Sequence, residues 1–154
     1  MGTRPRRDAR SARGREPPVT LLLLDTTFLI DTERGATELD DLIGDDDDVA
    51  IAAITLAELT VGVELAEARQ HAKRRSFVDE IAASIPILPY DQGVAVRHAS
   101  LLVAVRRTGR PRGAHDLIIA ATAAAAGRTV VSADRRAFDG LPGVDALDFR
   151  SSSD

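Results

Sequence analysis

The segment that most restricts how this chain folds is LLLLDTTFLID, Leu21–Asp31. An apolar run without alternation, closed by polar residues, reads as a strand buried on both faces. Asp25 then stands at the carboxyl end of a central parallel strand, where open α/β sheets place their ligands. A carboxylate there is costly unless something pairs with it, so its partner is the first functional question the sequence raises.

The same apolar-run reasoning makes Val49–Ile54 a second strand and Thr129–Val131 a fourth. Ile85–Leu88 is a short third strand that Pro86 places at an edge, and Val144–Phe149 supplies a fifth. Between them, Thr27–Asp31 turns into a short helix broken by Gly35, and Glu38–Ile43 offers another. Thr55–Arg69 has helical spacing, with Leu56, Leu59, Val63 and Ala66 on one face and a capping box of Thr55 and Glu58 at its start. His71–Ala83 continues as helix with Phe77, Val78 and Ile81 inward and Arg74 and Arg75 outward. Asp91 caps a long helix to about Arg107 that buries Val94, Leu101, Leu102 and Val105. After the loop Gly109–Gly113, Asp116 opens a helix apolar nearly all round, which Gly127 ends. The acidic run Asp45–Asp48 reads as solvated loop. Strands alternating with helices predict an α/β fold, three-layer α/β/α around a central parallel sheet. If the fourth strand returns beside the first, the strand order is 3-2-1-4-5.

With 154 residues the chain is expected to form one domain, residues 19–150, between disordered tails at 1–18 and 151–154. Residues 1–16 carry a net charge of +4, which leaves −8 for the remainder. An Arg-rich tail of this kind also fits a nucleic-acid arm or a transit peptide. No apolar run approaches the roughly 18 residues that span a bilayer. The absence of cysteine excludes disulfides and thiolate metal sites and fits a cytoplasmic protein. With no Trp and one Tyr, the sequence offers little for aromatic stacking platforms for bases.

Four acids stand where elements begin: Asp25, Glu58, Asp116 and Asp134. Taken singly, each reads as a cap or turn residue. Elements that follow the strands of a parallel sheet start at one edge, however, and in the 3-2-1-4-5 order Asp25 and Asp134 flank the switch point. Clustered carboxylates raise one another's pKa unless a cation is present. An oxygen-only set suits Mg²⁺ or Mn²⁺, which lowers the pKa of a bound water and stabilises in-line attack on a phosphodiester. The cation also reconciles an acidic body with a polyanionic substrate.

In LDTTFLID, ITLAELTVGV, HDLIIAATA and VVSADRRAF the chain resembles the PIN-domain family, most closely the VapC toxin ribonucleases of toxin–antitoxin pairs. The segments come in the family's order and span nearly all of Leu21–Phe149. The resemblance puts the family's acids on Asp25, Glu58, Asp116 and Asp134, as catalytic and metal-binding residues. Its small polar residue, often Ser or Asn, falls on Thr27, and Ser132 is a further supporting hydroxyl. It implies a metal-dependent endoribonuclease acting on RNA with Mg²⁺ or Mn²⁺, a homodimer, and a cognate VapB-like antitoxin. The antitoxin's tail would cover a groove between the helices of Thr55–Arg69 and His71–Ala83 and present a basic side chain to the acids.

Arg110 and Arg112, just before Asp116, are candidate phosphate ligands. His115 could be a general base beside Asp116 but, as a lone histidine, reads as a loop or packing residue; His71 and His98 are helical residues without partners, and Asp31 and Asp139 outlying support. The alternative functions are a PIN-fold module acting mainly through protein or RNA binding and a phosphoacceptor receiver-like signalling domain. The latter needs a lysine at a strand end, and the only lysine, Lys73, lies within a helix. A dehalogenase-type phosphatase needs a second Asp that DTTFL lacks, and a dinucleotide-binding fold needs a glycine-rich first turn, also missing.

Overall fold

The computed structural model describes residues 19–35 and 44–148. The expected tails at 1–18 and 151–154 and the short helix at Glu38–Ile43 lie outside the described residues. Within them the chain runs β1 (Thr20–Leu24), α1 (Thr26–Arg34), β2 (Asp47–Ala52), α2 (Ala53–Glu64), α3 (Ala68–Ser84), β3 (Ile87–Leu88), α4 (Gln92–Thr108), α5 (Ala114–Ala126), β4 (Thr129–Ser132), a 3-10 turn (Arg135–Ala137) and β5 (Ala146–Asp148). All strand pairs are parallel, in the order β3-β2-β1-β4-β5 that the sequence predicts.

The leucine run shows why this sheet forms. Leu23 faces one layer, with Val94, Leu101, Leu117 and Ile119 of α4 and α5. Leu22 and Leu24 face the other, with Phe28, Leu29, Leu59, Val63, Val78 and Ile81 of α1, α2 and α3. Successive side chains of one strand thus feed two separate cores, as a strand between helical layers must. Ala50, Ala52 and Val130 join the first core, and Ile51 and Val131 the second. Full burial of such a side chain contributes roughly 1.5–3 kcal/mol. α5 is buried from Ile119 to Ala123, including Thr122, whose hydroxyl donates to the Ile118 carbonyl. Gly109 and Gly127 end α4 and α5 at φ of 68° and 65°, a left-handed cap that glycine adopts without strain.

Several local expectations are corrected. β2 begins at Asp47, so half of the acidic run is strand rather than loop. Asp48 there pairs with Arg128 at 2.8 Å, and Asp47 accepts the Gly44 N–H at 2.8 Å. The α2 helix starts two residues before the supposed capping box, with Ala52 at the cap and no side-chain capping bond. Thr55 instead turns inward, fully buried, its hydroxyl without a partner among the described residues, and Glu58 is released for other contacts. α2 also stops at Glu64, so Ala66 lies beyond its face. Arg74 and Arg75 are half-buried, donating to the Gly62 carbonyl and to Glu64. His98 accepts or donates at Tyr90 Oη, 2.8 Å away. Among the described residues no helix is long and apolar enough to cross a membrane.

Candidate active site

Asp25 follows the last residue of β1, and its backbone N–H bonds the Val131 carbonyl of β4 at 3.0 Å, which seats it at the switch point. Its side chain is 2% exposed. Oδ1 accepts the Phe28 N–H and the Thr27 hydroxyl, both at 2.9 Å, so Asp25 also caps α1. The Thr27 hydroxyl lies 3.3 Å from Ser132 Oγ and accepts the Ala133 N–H, and Ser132 Oγ accepts the Asp134 N–H at 2.9 Å. Thr27 and Ser132 therefore tie the end of β1 to the segment that carries Asp134.

Glu58 sits one turn into α2 and is gripped at both oxygens. Oε1 accepts the Thr26 hydroxyl at 2.6 Å, and Oε2 lies 3.0 Å from His115 Nδ1. Thr26 is the contributor that sequence reasoning missed, and His115, a weak candidate beside Asp116, engages Glu58 instead. Only adjacency to Asp25 hinted at Thr26. Asp116 lies in the first turn of α5, where the helix dipole favours a carboxylate. Its Oδ2 lies 2.9 Å from where a side chain at Gly113 would begin, so a glycine leaves room for the carboxylate to fold back over the helix start. Asp134 is exposed at the mouth, ahead of the 3-10 turn.

The electrostatics join all four acids. Burial raises the pKa of Asp116, the charges of Asp25, Glu58 and Asp134 push it further up, and His115 pulls it partly back. Burial likewise raises Asp25; hydrogen bonds from Ser132, Phe28 and Thr27 oppose this, and the charge of Glu58 adds to it. These carboxylates outnumber the one base among them, His115, and their donors are all oxygen, the chemistry that Mg²⁺ or Mn²⁺ takes. They do not form a closed cage. Among the described residues no three ligand-type side chains stand at coordinating spacing.

Beside the acids an open cleft of about 590 Å³ is lined by Gly109–Gly113, Asp116, Asp134, Arg136 and Ala137. Arg110 and Arg136 reach it and are exposed. Arg112 lines it too, but its guanidinium is directed at backbone carbonyls of Arg136, Ala137 and Asp139. Asp139 pairs with Arg135 on the surface at 3.2 Å. A second, smaller pocket of about 60 Å³ lies between α1, α2 and α3, with Ile30, Glu58, Gly62, Arg74 and Phe77 on its walls.

Comparison with known proteins identifies the family. The PIN domain pattern matches residues 22–143. Ribonuclease VapC5 of Mycobacterium tuberculosis is 35% identical over 127 residues, covering 81% of this chain and 93% of that protein. A tRNA(fMet)-specific endonuclease VapC of Salmonella typhimurium is 30% identical over 96 residues, 62% of this chain and 71% of its own. The crystal structure of DNA-bound VapBC from Salmonella typhimurium superposes with a TM-score of 0.75 at 28% identity, covering 84% of this chain and 98% of that one.

Proposed function

Because this chain belongs to the PIN-domain family, we propose that it is a metal-dependent endoribonuclease, the toxin of a toxin–antitoxin pair, whose Asp25, Glu58, Asp116 and Asp134 hold Mg²⁺ or Mn²⁺. The observation that carries the metal is the charge arrangement. The Asp116 carboxylate is pushed up by burial and by three other acids, while the base that offsets them, His115, is itself engaged with Glu58. The reaction follows from the relatives named ribonuclease and endonuclease.

A bound divalent cation supplies a water of lowered pKa and neutralises charge on the phosphate oxygens. The chain's own groups do the placing. Asp25 is immobilised by the Phe28 N–H and the Thr27 hydroxyl. Glu58 is aimed by Thr26 and His115, and Ser132 supports the backbone N–H of Asp134. Asp116 sits at a helix N-terminus that favours its charged form. Arg110 and Arg136 reach the cleft where flanking phosphates would lie and supply sequence-independent contacts.

The same reading includes a homodimer acting in the cytoplasm and a cognate VapB-like antitoxin; the superposition on a DNA-bound VapBC structure supports the toxin–antitoxin part. The antitoxin's helix lies against α2 and α3, where Val61 and Leu65 are exposed and the smaller pocket opens beside Glu58. A basic residue of its tail pairs with the acids through charge-assisted bonds. Charge reversal of that one residue is expected to restore cleavage while the complex persists. An antitoxin so altered that still inhibits fully points instead to occlusion of the RNA path.

The direct test is cleavage of RNA by the purified protein. Activity is expected with Mg²⁺ or Mn²⁺, to stop with EDTA, and to vanish in folded Asp25→Asn protein. Cleavage that survives both EDTA and Asp25→Asn contradicts the reading.

A further inference from the structure

Arg112 lies in the loop before α5, four residues ahead of Asp116. Its Nη1 donates to the Arg136 carbonyl at 3.2 Å and the Ala137 carbonyl at 2.9 Å, and its Nη2 donates to the Asp139 carbonyl. These three acceptors belong to the turn that follows Asp134. The turn's own backbone bonds run to the carbonyls of Asp134, Arg135 and Phe138, a different set. The guanidinium fork thus serves the acceptors that the turn does not use itself, through charge-assisted bonds whose planar geometry lysine lacks.

On its other side the turn is anchored by Phe138, 1% exposed and in the same core as Leu117 of α5. Phe138 from inside and Arg112 from the cleft wall therefore fix one short segment against the start of one helix. That segment carries Asp134 at its head, and that helix carries Asp116 in its first turn. The charge of Asp134 already acts on Asp116.

We propose that Arg112 is a positioning residue. By clamping the Arg136–Asp139 carbonyls it sets the spacing of Asp134 from Asp116, and so the affinity of the acid site for a divalent cation. This rests on the reading of the acids as a metal site. It assigns Arg112 a role different from that of Arg110 and Arg136, which remain for phosphates.

Mn²⁺ titration by calorimetry on the full chain, without RNA, tests this. The parent is expected to bind Mn²⁺. Arg112→Ala should bind it about 10-fold or more weakly, the size typical of losing a residue that orients metal ligands. Arg112→Lys, which keeps the charge and guards against a folding failure, should fall between the two. RNA affinity without metal, and its salt dependence, should not change. Arg128→Ala, a loss of an equally engaged arginine at the far end of the sheet, controls for general loosening and should leave Mn²⁺ affinity at the parent value. Unchanged Mn²⁺ affinity in Arg112→Ala overturns the proposal. If the salt slope of RNA binding then drops by about one, Arg112 is a phosphate ligand instead. A parent that takes up no Mn²⁺ overturns the metal reading itself, and this inference with it.

Discussion

Asp48 and Asp116 are both carboxylates at an end of the sheet, and their surroundings differ in kind. Asp48 is near the amino ends of the strands, where Arg128 reaches its carboxylate at 2.8 Å and the same guanidinium bonds the carbonyls of Leu22 and Asp48 at 3.1 and 2.7 Å. One arginine there joins β1 and β2 just before β4 begins. At the carboxyl ends, Asp116 faces Asp25, Glu58 and Asp134. The first arrangement is complete within the chain and stabilises the fold. The second brings like charges together, the arrangement behind the cation site proposed above. The difference shows that acidity alone marks no site; an excess of acids over the bases beside them does.

The largest expected effect separates the two ends by activity. Asp25→Asn, Glu58→Gln, Asp116→Asn and Asp134→Asn should each lower RNA cleavage by at least about 100-fold, since even residues that only orient metal ligands cost 10–100-fold. Asp48→Asn should cleave as the parent does. A loss in Asp48→Asn equal to that in Asp25→Asn would erase the distinction.

Next in size is the response to metal. At about 100 times the dissociation constant, Mg²⁺ or Mn²⁺ should stabilise the parent by roughly 2.7 kcal/mol, about 5–10 °C in Tm for a domain of this size. At fixed ionic strength the shift should shrink in Asp116→Asn and persist in Asp48→Asn. Arg128→Ala inverts the pattern. It should destabilise by about 1.5–3 kcal/mol, the range for hydrogen bonds to charged groups, while activity per folded molecule is kept.

The smallest effect concerns the metal-free protein. Asp25 and Asp116 have folded-state pKa values above those of the unfolded chain, so between the two values the folded protein binds more protons. Their contribution to stability therefore falls as pH rises through that window, and the penalty is complete above the folded pKa. Asp116→Asn should melt at a higher temperature than the parent without metal, because one crowded carboxylate is neutralised, and its gain should fade on acidification through that window. Thermal melts across pH in EDTA check this.

Much of this was legible in the sequence because it rests on patterns longer than any one contact. The leucine run predicts a strand between two cores, and strand–helix alternation predicts a parallel sheet, whose order is 3-2-1-4-5 once the fourth strand returns beside the first. The four acids follow from where elements of a parallel sheet begin. What escaped depends on single side chains choosing between partners. Thr55 and Glu58 match a capping box three residues apart, yet the helix begins at Ala53, which turns Thr55 inward and frees Glu58 for Thr26 and His115. His115 comes 57 positions after Glu58, and no local pattern links them. Arg112 looks like Arg110 in the loop, and only the carbonyls of a turn 24 positions or more downstream distinguish them.

Direct counting of bound metal tests the central claim, that the acids at the carboxyl ends of the strands form one cation site. Free Mn²⁺ gives an electron paramagnetic resonance signal that is lost on binding, so titration reports uptake without any assay of cleavage. The parent and Asp48→Asn should take up Mn²⁺ alike, and Asp25→Asn and Asp116→Asn should each lose that uptake. Undiminished uptake in both of the latter, or its loss in Asp48→Asn, would contradict the account.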